Sequence, residues 1–335
     1  MDRSHPVVHL SQPRILACLG FIGVIGLSIP AAQAQQFLYV GNDNSPGGTQ
    51  RYTLPISASS TPSFTVVSNN VVSMAQDAAG NLAVGDNVGQ LKFFPAPLSG
   101  ASTASATFAN GAGTNDGQIA FTPAGDFFVS TTGTTVNKFT HPFSNASTLS
   151  QAITTAGLTA SIGVALDATQ NLYLSDSGGA GSSLFVLAPP YTGAPIHTPP
   201  IAGTFYRKIA ISGTQLFVDD VSGAGKVDVY ALPLTGASAP SFSITTGVAT
   251  PEGVALDGAG NLYVGNLTSS TITVYGPPFS AGSAPTTTMA ATGSPAIFGI
   301  AIATAAASIP AVGHLGLLAL CALLLVIGLL AVRRG

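Results

Sequence analysis

The chain has 335 residues, of which 46% are hydrophobic and only 7% are charged, against roughly 25% charged residues in an ordinary soluble domain. Ten basic and 13 acidic residues give a net charge of −3, which excludes a basic surface able to follow a nucleic-acid backbone. Thirty-nine glycines and 23 prolines are too many for a helical protein, and the chain is too apolar for disorder. The composition predicts short β-strands joined by turns.

The first 34 residues have the parts of a secretory signal peptide. A polar, basic stretch precedes an apolar stretch at residues 15–29, and residues 32–34 read Ala-Gln-Ala, the small residues that a signal peptidase recognises. A lipoprotein signal at Cys18 is ruled out, because its apolar stretch would precede the cysteine and here follows it. We therefore predict that residues 1–34 are a signal peptide, cleaved after Ala34, and that the protein is exported.

Residues 35–303 contain an internal repeat with a spacing of 44 to 46 residues. Each unit has two short strands of the form apolar-x-apolar, joined by a tight turn. The second strands begin at Leu82, Phe127, Leu172, Leu216 and Leu262, and an isolated first copy runs from Leu38 to Val40. The region therefore contains six units of about 45 residues each.

A third strand in every unit ends three residues before a proline, which cannot donate a hydrogen bond to a sheet ladder. These strand ends and prolines are Tyr52 and Pro55, Phe94 and Pro97, Phe139 and Pro142, Leu187 and Pro190, Tyr230 and Pro233, and Tyr275 and Pro278. The segment rich in Ser, Thr, Ala and Pro that follows can supply a fourth, outer strand. Four strands in a repeat of this length are typical of a β-propeller blade.

The two ends of the repeat region complement each other. The first unit begins at its second strand, residues 37–40, and residues 298–302 form a first strand that has no second strand of its own. Pairing of these two segments completes a blade and removes exposed sheet edges. We therefore predict an all-β fold, a six-bladed β-propeller over residues 35–303, whose first blade is closed by the C-terminal strand.

The segment from Pro251 to Val264, echoed between Ile162 and Leu174, resembles the NHL repeat, and the resemblance extends over residues 37–302. It implies a propeller, which has six blades in many secreted bacterial members. Two departures are visible: the arginine that usually precedes the third strand is absent, and the aspartate after the second strand is kept in only some units. No particular activity follows, because propellers carry unrelated functions.

Residues 315–332 are an uninterrupted apolar run of 18 residues, just long enough for a helix to cross a hydrocarbon core of roughly 30 Å. We predict a transmembrane helix here, with residues 333–335 as a cytoplasmic basic tail. Both cysteines lie in the apolar end segments, so the exported part has no disulfide. Six basic and 12 acidic residues give residues 35–308 a net charge of −6.

The linker at residues 304–314 and the segment after it resemble the IPTL-CTERM and PEP-CTERM sorting signals of Gram-negative bacteria. The residues that carry this resemblance are Ile309, Pro310, Gly316, Arg333 and Arg334. It implies a sorting protease that removes the segment, although Ala and Val replace the Thr and Leu of the IPTL form. The alternative is a plain membrane anchor. Both place the propeller at the bacterial cell envelope or surface.

Polar residues recur directly after the second strands, where the loops of a propeller surround one mouth of its channel. The ligand-binding candidates of this kind are Asn42, Asp86, Asp176, Asp220 and Asn266. Arg207 and Glu252, one repeat apart, stand just before the first strands of neighbouring blades. They form either a salt bridge between blades or part of a ligand site. No cofactor is predicted, although Asp86, Asp176, Asp220 and Asn266 offer the carboxylate and amide oxygens that calcium prefers.

Asp77, Asp167 and Asp257 recur two repeats apart, at the turn between the first two strands of a unit. Their regular spacing could suggest a ring of metal ligands. A short side-chain acceptor at the start of such a turn instead bonds the turn's own backbone N–H groups. We predict this structural role for all three.

Catalytic motifs are absent from the exported part. It has two histidines, His141 and His197, in different blades and no cysteine, which disfavours a zinc site or a cysteine nucleophile. No catalytic residue is predicted. The favoured function is a monomeric, surface-displayed binding module for a protein or an envelope or matrix polysaccharide. The alternative is a metal-assisted hydrolase or lyase, similar to gluconolactonase and streptogramin lyase propellers, in which Glu252 and the rim aspartates would bind the metal.

Overall fold

The computed structural model describes residues 35–42, 48–68, 70–112, 117–291 and 296–304. The predicted signal peptide, the transmembrane segment, the basic tail and linker residues 305–314 lie outside these ranges. Within the described ranges, no helix has the length and apolar character needed to span a membrane. What the structure describes is therefore the repeat region.

The described ranges form 24 β-strands, separated by turns in which Gly, Asp, Asn and Ser are frequent. In chain order they are β1 (Gln36–Asn42), β2 (Gly48–Thr53), β3 (Phe64–Val67), β4 (Val71–Gln76), β5 (Leu82–Asp86), β6 (Gln90–Phe94), β7 (Ala106–Ala109), β8 (Ile119–Phe121), β9 (Phe127–Ser130), β10 (Thr135–Phe139), β11 (Gln151–Thr154) and β12 (Ser161–Leu166). The remaining strands are β13 (Leu172–Asp176), β14 (Ser183–Leu187), β15 (Ile196–His197), β16 (Tyr206–Ser212), β17 (Gln215–Asp220), β18 (Lys226–Ala231), β19 (Phe242–Ile244), β20 (Pro251–Leu256), β21 (Leu262–Asn266), β22 (Thr271–Tyr275), β23 (Thr287–Ala290) and β24 (Ile297–Thr304).

These strands form six antiparallel sheets of four strands, which we name I to VI. From the inner to the outer strand, the order is β24-β1-β2-β3 in sheet I, β4-β5-β6-β7 in II, β8-β9-β10-β11 in III, β12-β13-β14-β15 in IV, β16-β17-β18-β19 in V and β20-β21-β22-β23 in VI. Each inner strand contacts the inner strands of the two neighbouring sheets, and β24 closes the circle by contacting both β4 and β20. The described residues therefore form the predicted all-β, six-bladed β-propeller.

Sheet I is built from both ends of the domain, as predicted. β24 pairs antiparallel with β1 from Gln36↔Thr304 to Asn42↔Ile297, with an irregularity between Gly41 and Asn42. On its other side β1 pairs with β2. Both edges of β1 are therefore hydrogen-bonded, and the closure leaves no open edge inside the ring.

The predicted strand starts agree closely with the structure. β5, β9, β13 and β21 begin at the predicted residues, and β17 begins at Gln215, one residue before Leu216. All six predicted prolines follow a third strand, and their X-Pro peptide bonds are cis. The first strands differ from the prediction: Arg207 and Glu252 lie inside β16 and β20 as their second residues, because a β-bulge there lets the ladder continue further.

Six apolar clusters hold the ring together, one in each seam between neighbouring sheets. The residue that follows each cis proline packs into a seam, and we call it the seam residue. The seam residues are Ile56 (seam VI/I), Leu98 (I/II), Phe143 (II/III), Tyr191 (III/IV), Leu234 (IV/V) and Phe279 (V/VI). Full burial of a large apolar side chain stabilises a fold by about 1.5–3 kcal/mol. The seams are therefore the main source of cohesion between sheets.

Candidate functional site

The predicted rim residues lie at one end of the ring, where the second strands end. Asp86, Asp176, Asp220 and Asn266 are the last residues of β5, β13, β17 and β21, and Asn42 is the last residue of β1. They belong to the strands rather than follow them, since each still pairs with a residue of the adjacent first strand. All five are buried, with no more than 4% of any residue exposed.

The rim aspartates bond to backbone N–H groups of the surrounding loops. Asp220 Oδ1 accepts hydrogen bonds from the N–H groups of Phe205 (2.8 Å) and Ser222 (3.0 Å), and its Oδ2 lies 3.6 Å from Lys226 Nζ. In sheet II, Asp86 Oδ1 accepts hydrogen bonds from the N–H groups of Val88 and Gln90. Its Oδ2 lies 3.5 Å from Lys92 Nζ. Both carboxylates therefore hold the loop that follows their own strand.

Asp176 and Asn266 bond the loop that leads into the first strand of their own sheet. Asp176 Oδ1 accepts hydrogen bonds from the N–H groups of Thr159 (3.0 Å) and Ala160 (2.5 Å). Asn266 Oδ1 accepts a bond of 2.8 Å from the N–H of Ala249. One carboxylate oxygen of each of Asp86, Asp176 and Asp220 is thus bonded to the backbone. The part of the chain that the structure describes contains no group of three or more His, Cys, Asp or Glu side chains able to hold a metal.

The structural role predicted for the three turn aspartates is confirmed. Asp77 Oδ1 accepts hydrogen bonds of 2.9 Å from the N–H groups of both Ala79 and Asn81. Asp167 and Asp257 accept the equivalent pairs of bonds in sheets IV and VI. These carboxylates fix the turn between the first two strands.

Arg207 and Glu252 make the predicted contact between neighbouring sheets V and VI. Arg207 Nη2 lies 3.2 Å from Glu252 Oε1. The Glu252 side chain is 3% exposed and that of Arg207 is 31% exposed, so the arginine is the member of the pair that reaches solvent. Its guanidinium carbon lies 5.3 Å from the ring centroid of Phe205, a residue that is 40% exposed. Arg207 Nε has no hydrogen-bond partner among the described residues.

Two charged residues that the sequence pattern did not single out complete a channel cluster with this pair. The backbone N–H of Lys208 donates a hydrogen bond of 2.5 Å to Asp219 Oδ1, and Asp219 is fully buried. Lys208 is also buried, and its Nζ donates to the carbonyl oxygen of Val72 at 3.3 Å. Because sheets V and II stand opposite each other in the ring, the Lys208 side chain crosses the channel.

Gln118, the residue directly before β8, links the inner strands of two other sheets. Its Oε1 accepts hydrogen bonds from the N–H groups of Val164 (3.0 Å) and Ile209 (2.9 Å), and its Nε2 donates to the Ile209 carbonyl (2.8 Å). Side chains from sheets III and V therefore bond across the channel interior. The channel cluster meets solvent at the mouth, where Arg207 is partly exposed.

Burial raises the pKa of Asp219 well above its usual value of 3.8, and the nearby Glu252 raises it further, while Lys208 and Arg207 act in the opposite direction. Burial likewise raises the pKa of Glu252, against the opposing effect of the same two cations. Asp219 Oδ2 has no hydrogen-bond partner in the described part of the chain. The cluster therefore holds two carboxyl groups in a setting that favours their protonated forms more than water does.

A comparison of the repeats could have found Asp219. The same position in the other sheets holds small residues, namely Gly41, Gly85, Ser130, Ser175 and Gly265. The Oγ of Ser175 donates to the carbonyl oxygen of Arg207 on the next sheet at 2.5 Å, and Ser130 donates in the same way. A carboxylate cannot donate such a bond, whereas a protonated carboxyl group can.

Fold and site together define a six-bladed β-propeller with a buried charge cluster at one end of its channel. No family model and no curated protein matches the chain. One solved structure that shares the fold is a putative 6-phosphogluconolactonase from Bacteroides fragilis, with 12% identity and a TM-score of 0.58 over 82% of this chain and 99% of that one. A functionally unknown protein from Desulfotomaculum acetoxidans has 14% identity and a TM-score of 0.55 over 80% of this chain and 99% of that one. A gluconolactonase from Xanthomonas campestris has 15% identity and a TM-score of 0.51 over 71% of this chain and 84% of that one. At such identities the likeness establishes the fold alone.

The channel cluster gives the stability of the fold a specific pH dependence. Because the pKa of Asp219 is higher in the folded than in the unfolded chain, the free energy of unfolding falls as the pH rises from about 4 through the folded-state pKa. Asp219→Asn keeps the acceptor for Lys208 N–H and removes the charge. We expect the variant to be more stable than the wild type at pH 8, by roughly 1–3 kcal/mol, with a smaller difference at pH 5, as measured by urea unfolding.

Asp126→Asn is the matched control, because Asp126 forms a partly exposed ion pair with Lys138 at 3.0 Å. This change should lower the free energy of unfolding by less than about 1 kcal/mol at both pH values. A larger loss of stability for Asp219→Asn at pH 8 than at pH 5 would contradict the prediction.

Proposed function

We propose that this protein is a binding propeller that holds an acidic polysaccharide of the cell envelope or matrix at the mouth of its channel. The observation that carries the proposal is the pair of Arg207 and Phe205, a guanidinium group and an aromatic ring that are both partly exposed. Guanidinium N–H groups bind carboxylates in a planar geometry. An exposed aromatic ring offers an apolar face on which a sugar ring can pack.

The surroundings of the cluster support a role without catalysis. Asp219 is fully buried, and Glu252 is nearly so and is paired with Arg207, which limits the access of a substrate to either carboxyl group. His141 follows β10 in sheet III, and His197 stacks on a phenylalanine ring in the outer strand of sheet IV. Neither histidine is placed to act as a base at the channel mouth.

We further propose that residues 1–34 export the propeller, whose repeats are NHL-like, and that it acts as a monomer at the bacterial cell envelope or surface. The apolar run at residues 315–332, followed by Arg333 and Arg334, supports a membrane anchor. The resemblance of residues 309–334 to a sorting signal supports removal of this segment by a sorting protease. In that case the propeller is released from its anchor after processing.

Processing of the C-terminal segment can be tested by the intact mass of the protein recovered from the cell surface. If a sorting protease acts, we expect a mass that ends before residue 315. A variant in which Arg333 and Arg334 are both replaced by Gln should accumulate with the segment intact. A wild-type surface protein that still contains Arg334 would contradict sorting and support the plain anchor.

The second candidate function is a metal-assisted hydrolase or lyase. It is favoured by the fold shared with the gluconolactonase from Xanthomonas campestris and by the presence of two carboxyl groups, those of Asp219 and Glu252, in one cluster. In this candidate the two carboxyl groups and the rim aspartates would hold a divalent ion that polarises the substrate.

Thermal unfolding separates the two candidates. Because Oδ1 of Asp86, Asp176 and Asp220 accepts backbone hydrogen bonds, we expect the unfolding midpoint to be the same in EDTA and in excess calcium or magnesium. A calcium-dependent rise that disappears in Asp220→Ala but persists in a control such as Asp126→Ala would contradict the binding proposal and support the hydrolase.

Polysaccharide binding can be tested by affinity electrophoresis with polygalacturonate, a polymer of uronic acids, and with neutral dextran. We expect retardation by polygalacturonate alone. Phe205→Ala should weaken binding about tenfold or more, because an aromatic contact surface is lost. The double variant Arg207→Gln/Glu252→Gln should do the same without leaving a buried charge unpaired.

Val88→Ala is the matched control, since Val88 is a 59% exposed apolar residue two positions after the rim residue Asp86. It should bind as the wild type does. Equal retardation by dextran, no retardation by polygalacturonate, or unchanged binding in both site variants would each overturn the polysaccharide proposal.

A further inference from the structure

A cavity of about 450 Å³ lies in seam I/II, far from the channel cluster. Its walls include Phe37, Tyr39, Arg51, Gln76 and Leu98. It opens at the end of the sheets opposite to the rim, where β4 ends and the turn between the first two strands begins. Its volume falls within the range of small-molecule sites, roughly 300–1,000 Å³.

The seam that contains the cavity lacks an aromatic seam residue. Its seam residue is Leu98, whereas those of seams II/III, III/IV and V/VI are aromatic and pack at an angle against a ring of the adjacent sheet. The inner strand β4 also carries Gln76 where the other inner strands carry an apolar residue. Those apolar residues are Phe121, Leu166, Ile211, Leu256 and Ile302.

Tyr39 lacks the hydrogen-bond partner that its equivalents have. The hydroxyl groups of Tyr173 and Tyr263 donate to the turn aspartates of their own sheets, at 3.3 and 3.2 Å. Sheet I has no such turn, because its first two strands come from opposite ends of the domain. The Tyr39 hydroxyl instead accepts a hydrogen bond of 3.4 Å from Gln76 Nε2 and another from the Arg51 side chain, so its own proton is available to a ligand.

Arg51 is a fixed cation at the wall of the cavity. Its guanidinium carbon lies 4.1 Å from the ring centroids of both Phe37 and Phe64, and its Nε donates to Ser63 Oγ at 3.2 Å. The described residues contain no carboxylate within ion-pair distance of Arg51, although Lys92, Lys138, Arg207 and Lys226 each have one. The two rings cover the faces of the guanidinium group, so its N–H donors lie at the edge, where Arg51 also hydrogen-bonds the Tyr39 hydroxyl.

Gln76 supplies an acceptor that is not satisfied. Its Nε2 donates to the carbonyl oxygen of Gly80 at 2.8 Å as well as to Tyr39. Its Oε1 is buried and has no hydrogen-bond partner among the described residues. A buried acceptor without a partner destabilises the fold, and a ligand with a donor group would remove that cost.

We propose that the seam I/II cavity binds a small organic carboxylate that also carries a hydroxyl group. The carboxylate contacts the edge of Arg51 and the Tyr39 hydroxyl, and the ligand hydroxyl donates to Gln76 Oε1. The apolar body of the ligand packs against Phe37 and Leu98. This site does not depend on the polysaccharide site at the channel mouth, because the two share no residue.

Calorimetric titration of the full-length protein tests the proposal with three probes of nearly equal size. 4-Hydroxybenzoate should bind with a Kd of about 1 mM or tighter. Benzoate, which lacks the hydroxyl group, should bind about threefold or more weakly. 4-Hydroxybenzamide, which lacks the negative charge, should bind about tenfold or more weakly. If none of the probes binds, or if all three bind equally, the proposal is overturned.

Three variants locate the binding. Leu98→Phe introduces the residue type that fills seam II/III and should abolish binding while leaving the unfolding midpoint unchanged or raised. Arg51→Gln should weaken 4-hydroxybenzoate about tenfold or more. Gln76→Leu, which introduces the residue found at Leu166, should abolish the preference for 4-hydroxybenzoate over benzoate.

Lys138→Gln is the matched control for Arg51→Gln, since Lys138 occupies the same position of the third strand in sheet III. It should leave binding unchanged. Wild-type affinity in Arg51→Gln would overturn the site even if Leu98→Phe failed to fold, and so would equal losses of binding in Arg51→Gln and Lys138→Gln.

Discussion

The structure depends on the pairing of β24 with β1, which joins strands from the two ends of the described domain. The pair runs from Gln36↔Thr304 to Asn42↔Ile297, and no disulfide supports it, because both cysteines lie outside residues 35–304. Without β24, the inner strands β4 and β20 would each lose a neighbour. The ring, its channel and its six seams therefore rest on a single backbone ladder between distant segments.

The same closure explains why seam I/II differs from the other seams. In sheets IV and VI, the hairpin between the first two strands places a turn aspartate next to the second strand, as Asp167 is placed near Tyr173. Sheet I joins strands from the two ends of the described domain and has no such turn, so the Tyr39 hydroxyl bonds Gln76 and Arg51 instead. The pairing of strands from the two ends of the domain closes the ring, and it also places Tyr39 and Gln76 together at the wall of the cavity.

Much of the fold could be predicted from sequence, because strand pattern, turn chemistry and repeat length are local properties. The starts of β5, β9, β13 and β21 and the closing strand follow from them. Arg207 and Glu252 could also be paired in advance, since residues one repeat apart occupy equivalent places on neighbouring sheets. The contacts of Lys208 with Val72 and of Gln118 with Ile209 could not, because they depend on side-chain reach across the channel.

The channel cluster also bears on how the ring can be used. Burying Lys208, Asp219 and Glu252 has a desolvation cost that their mutual attraction offsets only in part, and one oxygen of Asp219 remains without a partner. Hydrogen bonds from Gln118 and Lys208 across the channel tie opposite and neighbouring inner strands together. A channel interior occupied in this way leaves Arg207 and Phe205, which meet solvent at its mouth, as the accessible part of this end of the ring.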